Sequence, residues 1–197
     1  MSPVRPERWR IFLAVVLSDA VRAKLAGALQ DLQPLASTVA ATPIDRIHLT
    51  LHFLGEVDAV RVGKIALGLG PSVAARTRFP IEVAGVGAFP SIRRPNILWA
   101  GVVGDHLGDL LALHAAAGSA LAAAGVPLEL RPYVPHLTLG RVRRPPTAGE
   151  RVRMRDWGER WSSAVFGQVE VDEVSLIRSE LALKPPRYTT VESFPLQ

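Results

Sequence analysis

The stretch HLTLHFLG, residues 48–55, decides the fold, because its first four letters return as HLTL at residues 136–139. In an extended strand, alternate residues point to opposite faces, so each copy separates a His and Thr face from a Leu face. The leucines of each copy belong to a hydrophobic core. The polar face then lines solvent, a cleft or a second layer. The repeat therefore predicts two related strands that each present histidine and threonine together.

The segments around the first copy predict a strand and two helices. Residues 9–17, WRIFLAVVL, form a continuous apolar run rich in β-branched residues, which is typical of a core strand. Ser18 offers an N-cap oxygen to the helix that follows. The apolar spacing over residues 57–69 predicts a second helix, which Gly70 and Pro71 close.

A similar order of elements surrounds the second copy. Residues 79–89 and 96–103 are typical of strands, and Asp105 is placed to cap a long helix that ends at Gly125. After the second HLTL, the sequence contains a basic loop, a region at residues 151–161 for which the pattern assigns no element, and two further strands.

The two halves together predict a single domain spanning residues 1–197. A chain of 197 residues is long enough for one substantial core and too short for two ordinary independent domains. Because each half is too small to bury its own sheet face well, we expect the two halves to pack together as two pseudo-symmetric lobes.

The charge of the chain favours anionic partners. The net charge is +5, and basic residues gather at residues 5–10, 93–94 and 141–155. Nucleic acids, phosphorylated small molecules and acidic membranes all remain compatible with this balance, as does a merely solvated surface. The chain has no cysteine, which excludes a disulfide scaffold, a thiolate nucleophile and a cysteine zinc site.

The first apolar run also resembles a secretory signal. WRIFLAVVLSDA, residues 9–20, has arginines before a short apolar core and small residues after it. Asp19 would lie at the cleavage point, and the run is equally typical of a buried strand. No apolar stretch approaches the roughly 18 residues of a membrane span. We therefore expect a cytoplasmic protein without a membrane partner.

The repeated polar face indicates proton-transfer chemistry. Two imidazoles, His48 and His136, can serve as general base and general acid near neutral pH. The hydroxyls of Thr50 and Thr138 can donate hydrogen bonds to phosphoryl oxygens and stabilise charge there. Opening or closing a phosphodiester ring is the reaction that fits this set of groups.

A metal site is the alternative reading of the first copy. His48, His52 and Glu56 are spaced four residues apart and would share one face of a zinc-binding helix. The alternation and the glycine of HLTLHFLG favour a strand instead, in which His48 and His52 lie about 13 Å apart.

The other histidines are assigned structural or peripheral places. We expect His52 on the same strand face as His48, at a rim or on the surface. His106 and His114 fall on the long predicted helix with no evident partner, and we expect both to be structural.

Two His-x-Thr-x motifs separated by about half a domain resemble the two-histidine phosphoesterase superfamily. HLTLHFLGEV and RPYVPHLTLGRVRR are similar to its RNA 2′,3′-cyclic phosphodiesterase branch, historically called 2′-5′ RNA ligases. The likeness extends to RIFLAVVLSDAVR, GVGAFPSIRRPNILWAGV and SLIRSELALKPPRYTTVESFPL, and so covers nearly the whole chain.

The resemblance implies an α+β fold of two pseudo-symmetric lobes, in which antiparallel sheets face a central groove and helices cover the outside. His48 and His136 would be catalytic, Thr50 and Thr138 would bind phosphate, and no metal or cofactor would be required. The implied activity is hydrolysis of RNA or nucleoside 2′,3′-cyclic phosphate to the 2′-phosphate. A 2′-5′ ligase acting on tRNA halves and a non-catalytic protein that binds RNA termini are the alternatives. RNA ends or nucleotides bearing the cyclic phosphate would be the partners of a monomeric protein.

The resemblance also implies that Arg141 binds phosphate. Strict alternation would place Arg141 on the leucine face, so this role requires the strand to bend or end at Gly140. An aromatic side chain for base stacking is expected as well. Phe53, Trp99 and Tyr133 are the candidates, and the sequence does not rank them.

Overall fold

The computed structural model describes residues 7–181, 183 and 186–197. Within them the chain forms nine strands: β1 (Arg8–Val16), β2 (Val39–Ala41), β3 (His48–Asp58), β4 (Phe79–Ser91), β5 (Arg94–Val103), β6 (His136–Val142), β7 (Val165–Val171), β8 (Glu173–Glu180) and β9 (Arg187–Pro195). Four α-helices accompany them: α1 (Asp19–Gln30), α2 (Ala59–Ala74), α3 (Leu107–Ala123) and α4 (Ala148–Trp161).

The strands form two antiparallel halves that meet at the repeated motif. One half has the order β7-β4-β5-β6 and the other β3-β1-β8-β9, and β3 pairs with β6 through Leu49 and Leu137. Beyond that pair β2 takes the place of β3 along β6, from Val39 opposite Val142 to Ala41 opposite Gly140. The predicted α+β fold with two lobes of antiparallel strands is confirmed.

The helices cover one face of each half. Helix α1 contacts β7, and α4 contacts β4. Helix α2 contacts β9 and β3, and α3 contacts α2 and β3. The leucines of both HLTL copies are at most 3% exposed and belong to the core. Burial of these apolar side chains against the helices leaves the His and Thr face of each copy free to line the groove.

The N-terminal apolar run is β1, which lies between β3 and β8 in the interior of the sheet. Its residues from Ile11 to Val15 are almost completely buried, as expected for a strand with neighbours on both edges. None of the described helices is both long and apolar enough to cross a membrane.

Two predicted helix boundaries are wrong. Helix α2 continues through Pro71 to Ala74, because Val73 is fully buried in the core and the proline removes only one backbone hydrogen bond. Helix α3 has His106 at its N-cap rather than Asp105. The His106 ring donates from Nδ1 to the Asp109 carboxylate at 2.8 Å and so stabilises the first turn.

The unassigned region at residues 151–161 lies in α4, which begins with a capping box. The Thr147 hydroxyl accepts from the Glu150 N–H at 3.3 Å, and the Glu150 carboxylate accepts from the Thr147 N–H at 2.7 Å. Arg144 also donates to this carboxylate at 2.7 Å, and the Arg144 guanidinium, followed by the Thr38 hydroxyl and the Thr147 N–H, lowers the pKa of Glu150 well below its usual range. The TAGE sequence of residues 147–150 carries this signal and could have located the helix.

Candidate active site

The two HLTL copies meet around a local pseudo-twofold axis. Leu49 pairs with Leu137 in antiparallel orientation. Because the two strands are antiparallel, the residues on either side of this pair are also opposed: Thr138 lies across from His48, and His136 lies across from Thr50. The four polar residues predicted from the repeat therefore occupy the positions next to the leucine pair that joins the two lobes.

A cavity of about 330 Å³ opens at this junction. His48, Thr50, Thr138 and Arg141 line it, so the structure brings four of the five predicted site residues together. His136 stands outside this lining and packs edge-on against Phe89, with ring centroids 4.9 Å apart. The volume is in the range of small-molecule binding sites.

Both histidine rings are held in one tautomer by the same local contact. His48 donates from Nδ1 to the carbonyl of Arg46, and His136 donates from Nδ1 to the carbonyl of Val134, each at 2.8 Å. Because a carbonyl only accepts, the neutral ring keeps its proton on Nδ1. The Nε2 atom of each ring is therefore the atom available to accept or deliver a proton.

His48 lies among aromatic side chains, although the polar face of its motif predicts a position in solvent or in a cleft. Its ring stacks on Phe12 with centroids 4.6 Å apart, and Tyr188 meets it edge-on at 5.7 Å. Burial lowers the pKa of His48 below its ordinary value of 6.5, and the hydrogen bond to the Arg46 carbonyl opposes this effect. The uncharged ring is thus favoured in the absence of a ligand.

A β-bulge brings Arg141 into the cavity. On β5, Trp99 lies opposite Thr138 and Leu98 lies opposite Gly140, which leaves Leu139 as an extra residue on β6. The extra residue restores Arg141 to the same side as Thr138. The bulge supplies the bend at Gly140 that the predicted position of Arg141 requires. Arg141 is exposed and lines the cavity.

The same bulge occurs on β3 and corrects the prediction for His52. On β1, Ala14 pairs with Thr50 and Leu13 pairs with His52, so Leu51 is the extra residue. His52 consequently turns to the core and is only 8% exposed, whereas Phe53 turns to the cavity. The prediction that His52 shares the face of His48 is wrong, because alternation ends at the bulge.

The buried His52 belongs to a stack of three aromatic rings beneath the motif. His114 lies between His52 and Tyr133, with ring centroids 4.0 Å apart on each side. His52 donates from Nε2 to the His114 carbonyl at 2.8 Å. Tyr133 donates its hydroxyl to the Thr50 carbonyl at 3.0 Å, and burial raises its pKa so that it stays protonated. The stack therefore ties α3 and the segment before His136 to strand β3.

This stack predicts a loss of stability in acid. Burial and the neighbouring His52 lower the pKa of His114 from 6.5 to about 4. The unfolded chain therefore binds a proton that the folded chain does not, and stability decreases as the pH falls from 6.5 towards 4. After allowance for partial exposure, we expect a loss of about 1 to 2 kcal/mol in urea unfolding. His114→Phe keeps a ring in the stack and should flatten this dependence; an unchanged slope would contradict the assignment.

The Tyr133 hydroxyl should act as a positioning group. Tyr133→Phe removes only the bond to the Thr50 carbonyl, and we expect the free energy of unfolding to fall by about 1 kcal/mol. We also expect kcat to fall several-fold with little change in KM, because the two motif copies lose one of their connections. Ser119→Ala is the control, since that hydroxyl donates to the Ala115 carbonyl within α3. A kcat equal to that of the wild type would show that the bond is structural only.

The three aromatic candidates for base stacking occupy different environments. Tyr133 is committed to the ring stack. Trp99 packs directly over Gly87, where a Cβ atom would collide with the indole. Phe53 alone of the three lines the cavity with His48, and it is 52% exposed.

The helical metal site considered for the first copy is not formed. Residues 48–58 are strand β3, and His52 lies on the opposite side from His48. Across the part of the chain that the structure describes, no three His, Asp or Glu side chains are grouped as metal ligands would be.

Comparison with known proteins identifies relatives that cover almost the entire chain. The sequence profile of the 2′-5′ RNA ligase superfamily matches residues 21–182. A protein of Archaeoglobus fulgidus named RNA 2′,3′-cyclic phosphodiesterase is 33% identical over 94% of this chain and 99% of its own length. A protein of the same name from Thermus thermophilus is 32% identical over 95% of this chain and 90% of its own.

Solved structures share the architecture. The crystal structure of a protein from Thermus thermophilus superposes with a TM-score of 0.73 at 31% identity, covering 94% of this chain and 97% of that one. Escherichia coli LigT complexed with 3′-AMP gives a TM-score of 0.76 at 24% identity, covering 97% and 99% of the two chains. The likeness to LigT shows a common fold.

Proposed function

Because this chain belongs to the 2′-5′ RNA ligase superfamily, we propose that it hydrolyses RNA or nucleoside 2′,3′-cyclic phosphate to the 2′-phosphate. The observation that supports the proposal is the antiparallel pairing of Leu49 with Leu137, because the two imidazoles and two hydroxyls of the repeat are the neighbours of these leucines. General acid and base catalysis by these groups requires no redox step and no covalent intermediate.

In this mechanism one imidazole removes a proton from water through its free Nε2 atom. The water oxygen attacks phosphorus, the bond from phosphorus to the ribose 3′ oxygen breaks, and the second imidazole donates its Nε2 proton to that oxygen. The second ring must therefore be charged when the substrate is bound. The phosphate anion favours the charged ring and opposes the effect of burial on the pKa of His48.

The remaining groups stabilise the phosphate. Thr50 and Thr138 donate hydroxyl hydrogen bonds to its non-bridging oxygens, and Arg141 supplies a fork of N–H donors with a permanent charge. Among the described residues, Arg141 enters no ion pair with a carboxylate, so its charge is available to the ligand. These contacts strengthen as negative charge accumulates on the oxygens in the transition state.

The proposal extends to the setting in which the enzyme acts. We infer one bilobal domain over residues 1–197 that acts as a monomer on RNA ends or nucleotides in the cytoplasm. The net charge of +5 supports an anionic substrate, and the absence of cysteine suits a reducing compartment.

The test is turnover of adenosine 2′,3′-cyclic phosphate and of an RNA that ends in the cyclic group, with EDTA present. Chromatography with the 2′-phosphate and the 3′-phosphate as standards should identify the 2′-phosphate as the product. Accumulation of a joined product from tRNA halves would instead support the ligase. Salt-dependent RNA binding without any turnover would support a non-catalytic protein.

A further inference from the structure

The cavity carries more positive charge than a single cyclic phosphate can balance. Arg10, Arg46 and Arg141 line it, whereas no described aspartate or glutamate does. These guanidinium groups keep their charge at any physiological pH. A 2′,3′-cyclic phosphate is a diester with one negative charge, which Arg141 alone can balance. The remaining charge therefore suits a ligand that carries a second anionic group.

The Arg46 side chain is not needed for the contact that its backbone makes. The Arg46 carbonyl accepts from Nδ1 of His48, and the Val134 carbonyl makes the same contact with His136. Arg46 and Val134 each stand two residues before their histidine, so they are equivalent under the pseudo-twofold axis. Because a valine serves in the second copy, the guanidinium of the first copy has no part in orienting the ring. Within the described part of the chain, this guanidinium enters no ion pair.

Thr42 provides a hydroxyl in the connection from β2 to β3 that also contains Arg46. Its N–H donates to the Leu139 carbonyl at 2.8 Å, so Thr42 lies beside the β6 bulge that places Arg141. Thr42 and Arg46 both line the cavity. A hydroxyl and a guanidinium are also the groups that Thr138 and Arg141 offer to the reacting phosphate. The guanidinium can bind two phosphate oxygens, and the hydroxyl can donate to a third.

The third cavity arginine, Arg10, lies farther from the motif. It is the register partner of Glu56 on β3, eight residues beyond His48, which corresponds to about 25 Å along the strand. Arg46 lies only two residues before His48. An anion that is attached close to the reacting phosphate can therefore reach Arg46 more readily than Arg10.

We propose that Arg46 and Thr42 form a second phosphate subsite, which binds the phosphate on the 5′ oxygen of the ribose that carries the cyclic group. This inference rests on the proposed function and narrows its substrate class. Only the ribose separates the two phosphates, and both the end of an RNA chain and a 5′-phosphorylated nucleotide carry them together. A nucleoside cyclic phosphate lacks the second anion and should be the poorer substrate.

The test compares a substrate that has the 5′ phosphate with one that lacks it. For the wild type and each variant, kcat/KM is measured on 5′-phosphoadenosine 2′,3′-cyclic phosphate and on adenosine 2′,3′-cyclic phosphate. Because charge-assisted hydrogen bonds to phosphate are strong, the wild type should favour the first substrate at least about tenfold. Arg46→Ala keeps the backbone carbonyl that holds His48, so it should abolish this preference by lowering only the value for the first substrate. Arg46→Lys and Thr42→Val should each keep part of the preference. Arg10→Ala, the matched removal of a cavity charge, should keep all of it.

Equal kcat/KM values for the two substrates in the wild type would overturn the subsite while leaving the hydrolase intact. A preference that persists in Arg46→Ala would also overturn it. So would an equal loss in Arg10→Ala, because long-range attraction would then explain the preference. If the wild type hydrolyses neither substrate, the proposed function fails, and binding decides the subsite. Calorimetric titration with adenosine 2′,5′-bisphosphate and adenosine 2′-phosphate should then show that Arg46→Ala weakens only the bisphosphate. Equal weakening of both ligands, or of neither, would overturn the inference.

Discussion

Replacement of either His48 or His136 by alanine is expected to lower kcat for cyclic phosphate hydrolysis by about a hundredfold or more. In the proposed mechanism each imidazole carries one proton transfer of the same displacement, so after the loss of either one, water would have to make that proton transfer. Because the two groups act as a unit, the double variant should be little worse than the poorer single variant. Initial rates on adenosine 2′,3′-cyclic phosphate, with folding checked by circular dichroism, provide the measurement.

His106→Ala is the matched control for these variants. That ring lies at the start of α3, pairs with Asp109 and does not line the cavity. Its removal should leave kcat within about twofold of the wild type, since surface substitutions rarely disturb a distant site. Full activity in both His48→Ala and His136→Ala would refute the acid and base mechanism.

Arg141→Ala should cause the second largest loss, a fall of about a hundredfold in kcat/KM. The guanidinium is placed among the cavity groups by the β6 bulge and can bind two phosphate oxygens at once. Arg141→Lys keeps the charge without the planar fork, so we expect it to recover only part of the activity.

Arg143→Ala is the control for charge alone. Arg143 is exposed, and its N–H pairs with the Thr38 carbonyl just beyond the end of β6. If long-range attraction were the main contribution, both arginine variants would lower kcat/KM equally, and the difference from the wild type would vanish at high salt. A larger and salt-resistant loss in Arg141→Ala would establish direct contact with the phosphate.

The repeat allowed the sequence to predict the centre of the molecule. Alternation in HLTL assigns Leu49 and Leu137 to the core, and these two residues are the pair that joins the lobes. Hydrophobic alternation is a local property that a strand keeps wherever it pairs, so it survives in the fold. The duplicated order of strands and helices is also read from local patterns, and it predicts the two lobes.

The bulges at Leu51 and Leu139 could not be predicted from hydrophobic alternation. Whether Leu51 and Leu139 are extra residues depends on the register against β1 and β5, which are distant in the chain. For this reason alternation assigned His52 to the wrong side and left Arg141 dependent on a bend. The ring stack of His52, His114 and Tyr133 likewise requires α3 to lie beneath β3, which no local pattern records.

The matched bulges have a consequence for regiochemistry. A twofold exchange of the HLTL copies replaces each imidazole and each hydroxyl by its equal, so these four groups treat the 2′ and 3′ oxygens of a cyclic phosphate alike. Selection between the two oxygens must come from residues that the exchange does not preserve. Arg141 and Phe53 occupy equivalent places after the bulges and differ completely in chemistry. We therefore expect the choice of which oxygen keeps the phosphate to depend on residues outside the repeat, such as Arg141 and Phe53 and the different aromatic neighbours of His48 and His136.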